Sequence, residues 1–320
     1  MPPTRPRPAD TQSCGVNYWR GNSAIAHLVS NTPQGPFAFL DMALPVWHTN
    51  PHVVRDPRDG TFVLFALGQS VNPKNWTQCD CTKSPACPPG PPNPNLAGVI
   101  DAHWAVRACV CVCRAFFLPP PSLPNPDRHA KQPTPYGPWT PVTINGSTIV
   151  LQGATNPAPF FLPNGTLVLG LNAEGTKVAV VEDWRTGPYI KNPTETMPNI
   201  PNNWYEDPFI WLDPITNKWR QLVHQYNATH PGTTSGGYGE NAGGSVFAPW
   251  VYGGLADPAY TNNVTYVDGS VQALRRRERP KLLFAADKRV WLYTAVQSAL
   301  NASRDFSYTL VQEVLQWAER

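Results

Sequence analysis

The stretch that decides the fold is TNPHVVRDPRDGTFVLFALG, residues 49–68. It sets a proline at the head of a short apolar run, follows it with an Asp-Gly turn, and ends in a second, more strongly apolar run. Asp59-Gly60 between two apolar segments is a tight-hairpin signal, because both residues accept the positive φ that such a turn needs. The same plan returns in TNPAPFFLPNGTLVLGLN (155–172), EDPFIWLDPITNKWRQLVHQ (206–225) and ERPKLLFAADKRVWLYTAV (278–296). The turns there are Asn164-Gly165, Thr216-Asn217-Lys218 and Ala286-Asp287-Lys288. Each closing run is rich in Val, Leu and aromatics, which suit a packed strand.

Repetition on this scale predicts radial, blade-like construction rather than one continuous sheet. The anchor prolines Pro51, Pro157, Pro208 and Pro280 lie 106, 51 and 72 residues apart. A four-stranded blade takes roughly 40–50 residues, so the first interval is too long. Its excess coincides with a Cys/Pro-rich stretch, residues 72–135, which reads as an irregular insertion on one face or a retained non-coding segment. Gly35-Pro36-Phe37, Gly137-Pro138-Trp139 and Gly187-Pro188-Tyr189 form a second repeat, a corner before an edge strand where proline costs no ladder hydrogen bond. Ala24–Ser30 and Tyr308–Val314 read as further outer strands. The expectation is an all-β, five-bladed β-propeller over residues 20–320, with residues 1–19 disordered and one blade incomplete at the N-terminal side. The glycine-rich run from Gly236 to Ser245 reads as a flexible connection between blades.

Composition excludes other classes. The chain has 320 residues, 41% hydrophobic and 15% charged, with 38 prolines and 23 glycines. Pro and Gly together stay below the roughly 25–30% of a disordered low-complexity chain. A formal charge of +3 is too weak for nucleic-acid binding, and the basic run Arg275-Arg276-Arg277 is interrupted by Glu278. No apolar stretch of about 18 residues is present, so no membrane span is expected. Asn-x-Ser/Thr sequons stand at Asn75, Asn145, Asn164, Asn227, Asn263 and Asn301. They point to a glycosylated, secreted or secretory-route protein, although Met1-Pro-Pro-Thr-Arg-Pro-Arg-Pro has no apolar segment of a signal peptide. The seven cysteines are Cys14, Cys79, Cys81, Cys87, Cys109, Cys111 and Cys113. Their spacing does not match paired C-x2-C zinc patterns, so local disulfides or free thiols are expected and no metal or other cofactor.

Asp207-Pro208 opening one module and Glu278-Arg279-Pro280 opening the next resemble the five-bladed propeller glycoside hydrolases of families 43 and 32. Those families place an Asp directly before one blade's proline and a Glu two before the next. The resemblance covers roughly residues 20–315 apart from the insertion. It implies Glu278 as general acid, Asp207 as the carboxylate that tunes it and orients the sugar, and a carbohydrate partner for a monomer. Glycoside hydrolysis needs such an acid and a second carboxylate across the scissile bond. Arg277 and Arg279 would lower the acid's pKa, and a neighbouring carboxylate would raise it.

The resemblance also implies an Asp on the first blade, and the matching position is Asn50. Asp41, Asp56 and Asp59 lie nearby in sequence, with Asp59 committed to the turn, and His48 is a further substitute. The base then lies on a missing inner strand, or the site is a non-catalytic, carbohydrate-binding or scaffold pocket. Asn50, Asn156, His224, Arg277 and Trp204 are the expected substrate-binding residues. Trp47 and Trp250, like Trp204, sit where an indole could stack on a sugar face.

Overall fold

A computed structural model of the chain describes residues 24–44, 48–68, 99–105, 107–108, 134–135, 139–147, 149–173, 175–193, 196, 203–227, 234–253, 257–298 and 307–315. Among them every regular element is a strand, so the all-β expectation holds. The first sheet pairs β1 (Ile25–Val29) with β2 (Ala38–Leu44). The second is built on β3 (His48–Arg55), β4 (Phe62–Gly68) and β5 (Val99–Ala105). Outside it, β6 (Arg107–Ala108) and β7 (Thr134–Pro135) form a short parallel pair. Then β8 (Thr140–Pro141) and β9 (Ile149–Gln152) both pair with β5.

The third sheet runs β10 (Thr155–Phe161), β11 (Leu167–Asn172), β12 (Thr176–Val181). The fourth runs β13 (Asn203–Leu212), β14 (Trp219–Asn227), β15 (Thr234–Asn241), β16 (Trp250–Tyr252). The last runs β17 (Asn263–Thr265), β18 (Val271–Phe284), β19 (Val290–Ser298), β20 (Ser307–Glu313). The four repeated modules are therefore the hairpins β3–β4, β10–β11, β13–β14 and β18–β19. Their turns carry positive φ at Gly60, Gly165, Asn217 and Lys288.

The anchor proline has a specific structural meaning. In each module the residue before it adopts a left-handed backbone: Asn50 (φ 52°), Asn156 (56°), Asp207 (54°) and Arg279 (54°). Each pairing shifts register at that point, between Thr49 and His52, Thr155 and Ala158, Glu206 and Phe209, and Glu278 and Lys281. This is a β-bulge, which bends a strand and re-aims a side chain. Proline is suited to it because a bulge leaves a residue out of the ladder. The left-handed conformation explains the Asn and Asp, which tolerate it; Arg279 does not share that tolerance.

The first strands of the modules touch in succession, β3 on β10, β10 on β13, and β13 on β18. The core lies in layers between neighbouring sheets. Val63, Phe65, Leu167, Leu169, Leu171 and Trp184 fill the space between the second and third sheets. Ala158, Val168, Ile210 and Trp219 fill the next layer, and Phe209, Trp211, Leu222, Tyr260 and Leu292 the one after. The circuit returns to its start through the Tyr293 hydroxyl on β19, which donates to the Pro33 carbonyl between β1 and β2 at 2.8 Å.

Two expectations change. Val99–Ala105 is a blade strand inside the span read as irregular; its VIDAHWA pattern is hidden by proline- and cysteine-rich flanks. Gly236-Gly237 belongs to β15 rather than to a loop. A Cβ on Gly236 would come within 2.1 Å of the Tyr260 ring, so glycine is needed there for close packing and not for flexibility. The corners Gly35-Pro36-Phe37 and Gly187-Pro188-Tyr189 stand before edge elements as expected: the first leads directly into β2, and the second is followed by Lys191, which bridges to Ala179 on β12. Tyr189 turns into the core and donates to the Trp184 carbonyl at 2.7 Å. Gly137, Pro138, residues 1–19 and all seven cysteines lie outside the described residues.

Candidate active site

The four bulges deliver their left-handed residues to one place. Asn50, Asn156, Asp207 and Arg279 line a cavity of about 180 Å³, with Lys281, Tyr293 and Thr309 among the remaining walls. Residues up to 229 positions apart thus meet because each occupies the same step of its own module. The Asn50 side-chain Nδ2 donates to the Asn156 side-chain Oδ1, joining the second and third sheets.

Asp207 is buried, 5% exposed. Its nearest cation is Arg279, with Nε 3.9 Å from Oδ1, beyond hydrogen-bond reach. Among the described residues no donor hydrogen-bonds its carboxylate. Burial therefore pushes its pKa up to about 6, Arg279 and His224 acting against the rise and Glu206 and Glu278 with it. A carboxyl at that value exchanges protons near neutrality, as sites that handle protons require.

Glu278 sits one residue before Arg279, partly exposed, with Oε1 3.3 Å from Arg276 Nη1. Its counterpart in the preceding module is Glu206, also two residues before the anchor proline. The buried His224 links to it, Nδ1 lying 3.2 Å from Glu206 Oε1. One ligand atom from each of Glu206, His224 and Glu278 lies within 4.8 Å of the others. Burial raises the Glu206 carboxyl, but the hydrogen bond and charge of His224, with Arg279 and Arg276, bring it below its ordinary value. These three are the described residues best placed to hold a divalent cation, since imidazole and carboxylate are ligands of metals such as zinc.

Of the residues expected from sequence, Asn50, Asn156 and Asp207 line the cavity, while Glu278 and His224 gather beside it. Arg277 is placed elsewhere. Its guanidinium is buried over the Tyr260 ring, 4.5 Å from the centroid, and donates to Thr294, Gln312 and the Thr261 carbonyl. The Trp204 backbone pairs with Tyr226; its side chain and Trp47 lie outside the described residues. Trp250 packs in the core and donates to the Val246 carbonyl at 3.0 Å. Among the carboxylates near Asn50 in sequence, Asp41 pairs with His27 at 3.1 Å and Asp56 is locked in a buried ion network. His48 is buried.

Sequence reasoning missed Glu206, Arg279 as a cavity residue, and Lys281. The signal for Glu206 is in the sequence: Glu206-Asp207-Pro208 and Glu278-Arg279-Pro280 share one Glu-x-Pro pattern.

No protein-family model and no curated protein sequence matches the chain. Solved structures do. The glycoside hydrolase family 43 protein BlXynB from Bacillus licheniformis aligns with 92% of this chain at 12% identity and a TM-score of 0.53. This chain spans 53% of that protein's length. An endo-1,4-beta-xylanase from Bacteroides thetaiotaomicron aligns with 92% of this chain and 87% of its own, at 12% identity and a TM-score of 0.51. Similarity this low in identity speaks for architecture, and on that ground the chain has the fold of glycoside hydrolase family 43 proteins.

Proposed function

We propose that the chain is a five-bladed propeller of the glycoside hydrolase type, with β1 and β2 standing for the fifth blade. It acts on glycosidic linkages of the arabinosyl, xylosyl, galactosyl or fructosyl kind. The observation that carries this reading is the convergence of four equivalent bulge residues on one cavity, with two glutamates and a histidine beside it. Glu278 protonates the leaving glycosidic oxygen. Asp207, poised near neutrality, orients the sugar and tunes the acid. Asn50 and Asn156 offer amides to sugar hydroxyls.

Glu206 supplies the carboxylate that Asn50 cannot. Its oxygen lies within 4.8 Å of Glu278, close to the roughly 5–5.5 Å of pairs that work through a covalent glycosyl-enzyme. In that scheme Glu206 attacks the anomeric carbon as the glycosidic bond breaks and Glu278 gives its proton to the leaving oxygen. Water, deprotonated by Glu278, then releases the sugar. Hydrolysis of aryl xylosides, arabinosides and galactosides measures this. Glu278→Gln is expected to lower the rate by about 10²–10⁴-fold, and activity that survives the change removes Glu278 from the role.

A second reading is favoured by Asn50 itself, an amide at the first-module position where hydrolysis needs a carboxylate. On that reading the pocket binds carbohydrate without cleaving it, and the panel gives binding with no turnover. We further propose passage through the secretory route. The sequon residues Asn145, Asn164 and Asn263 are exposed. A mobility shift of the protein from its native source after peptide-N-glycosidase treatment is the expected result; no shift rejects it.

A further inference from the structure

The charge of the cavity does not match a neutral sugar. Two cationic side chains, Arg279 and Lys281, line it with one carboxylate, Asp207. Beside the wall, Glu278 has the Arg276 guanidinium at 3.3 Å and Glu206 has the His224 imidazole at 3.2 Å. On the cavity wall itself two cations face one carboxylate. The Arg279 Nε is buried and, among the described residues, makes no hydrogen bond. Its nearest carboxylate oxygen is 3.9 Å away, and the side chain is 40% exposed, so it remains reachable.

The placement of that arginine is itself informative. The other three bulges use Asn or Asp at the left-handed position, the residue types that tolerate it. Arg279 takes the same conformation at φ 54°, which a side chain of its kind adopts only at an energetic cost. A guanidinium held at this point of the cavity against backbone preference has a fork suited to a planar carboxylate. Lys281 stands two residues further along the strand, with Nζ 3.3 Å from the Pro208 carbonyl and 5.9 Å from the Phe209 ring.

We propose that the cavity is built for a carboxylate-bearing sugar, a single uronosyl residue whose acid group is held by Arg279 and Lys281. This rests on reading the cavity as a sugar pocket and narrows the sugar it takes. A xylosyl ring carrying a carboxylate at C5 is a glucuronosyl ring, and a galactosyl ring oxidised at C6 is galacturonosyl. The volume of about 180 Å³, below the roughly 300–1,000 Å³ of drug-sized sites, suits one terminal ring. Burial, together with the charge of Arg279, already lowers the Lys281 pKa to about 8; an anion between the two relieves that repulsion.

The test is calorimetric titration of the full chain at low salt. The probes are the methyl glycosides of glucuronic and galacturonic acid, those of xylose and galactose, and inorganic sulfate. The uronosides are expected to bind about tenfold or more tightly than their neutral partners, as hydrogen bonds to a charged group imply. In Arg279→Gln that ratio falls to about one, and in Arg279→Lys it falls only in part. Lys281→Gln gives the same readout if the arginine variant does not fold. Neutral glycosides that bind as tightly as the uronosides overturn the proposal and leave the sugar pocket standing. If no glycoside binds, both readings fall. Sulfate binding as tightly as the uronosides shows a general anion seat and also overturns the proposal.

Discussion

Two buried aspartates, Asp56 and Asp207, sit in opposite kinds of surroundings. Asp56 lies in the β3–β4 turn and is fully enclosed. It accepts from the Arg58 backbone N–H at 2.9 Å, Arg58 Nη2 at 2.8 Å, Trp184 Nε1 at 2.8 Å and Arg185 Nη1 at 3.1 Å. Burial alone would raise its pKa, but these donors outweigh it and hold the carboxyl far below its usual range. Asp207 has the burial without the donors, and its pKa moves the other way. The first carboxylate is saturated and ties the second sheet to the third. The second is left unsatisfied in a cavity, where a substrate would complete it. Burial of an acid says little about its purpose; the count of donors aimed at it says much more.

The comparison breaks most sharply on stability. Asp56→Asn leaves two arginines and an indole N–H facing an amide, and loss of one partner of such a buried network costs about 3–5 kcal/mol. Asp207→Asn removes an uncompensated buried charge and is expected to hold or raise stability at pH 7. Chemical denaturation of both variants measures this. Equal losses would mean that Asp207 is as structural as Asp56.

A smaller effect is in the pH dependence, where the two signs oppose. The Asp207 pKa is raised in the folded state, so its stabilising contribution is complete below about pH 4 and is lost as pH climbs through about 6. The Asp56 pKa is depressed, so its contribution is present above about pH 4 and is lost as pH falls below that. Denaturation curves from pH 3 to 8 should show the decline from pH 4 to 7 removed by Asp207→Asn. The acid limb should flatten in Asp56→Asn. Unchanged profiles in both would sink the electrostatic account.

Much of this organisation is legible in sequence because the module repeats. Four proline-led hairpins, their turns and the convergence of Asn50, Asn156 and Asp207 follow from one offset counted four times. The partners of Asp56 do not: Trp184 and Arg185 approach from more than 125 positions away, and nothing local to Asp56 announces them. Val99–Ala105 was obscured by its flanks. Arg277 looked like a site residue because it neighbours Glu278, yet strand alternation sends adjacent side chains to opposite faces. The bulge then adds its own exception at Arg279, which returns an arginine to the cavity one residue after Glu278. A repeat locates positions, while the handedness of the backbone at each position decides where the side chain goes.

The bond from Tyr293 to the Pro33 carbonyl closes a circuit whose first sheet has only two strands among the described residues. Elsewhere neighbouring sheets interlock through continuous apolar layers. Among the described residues this junction rests on a hydrogen bond and a two-stranded sheet, so it is expected to open before the apolar layers do. Amide protons of β1 and β2 should exchange ahead of those in β10–β15. The cavity, walled on one side by Tyr293 itself, would gain or lose its shape with that clasp.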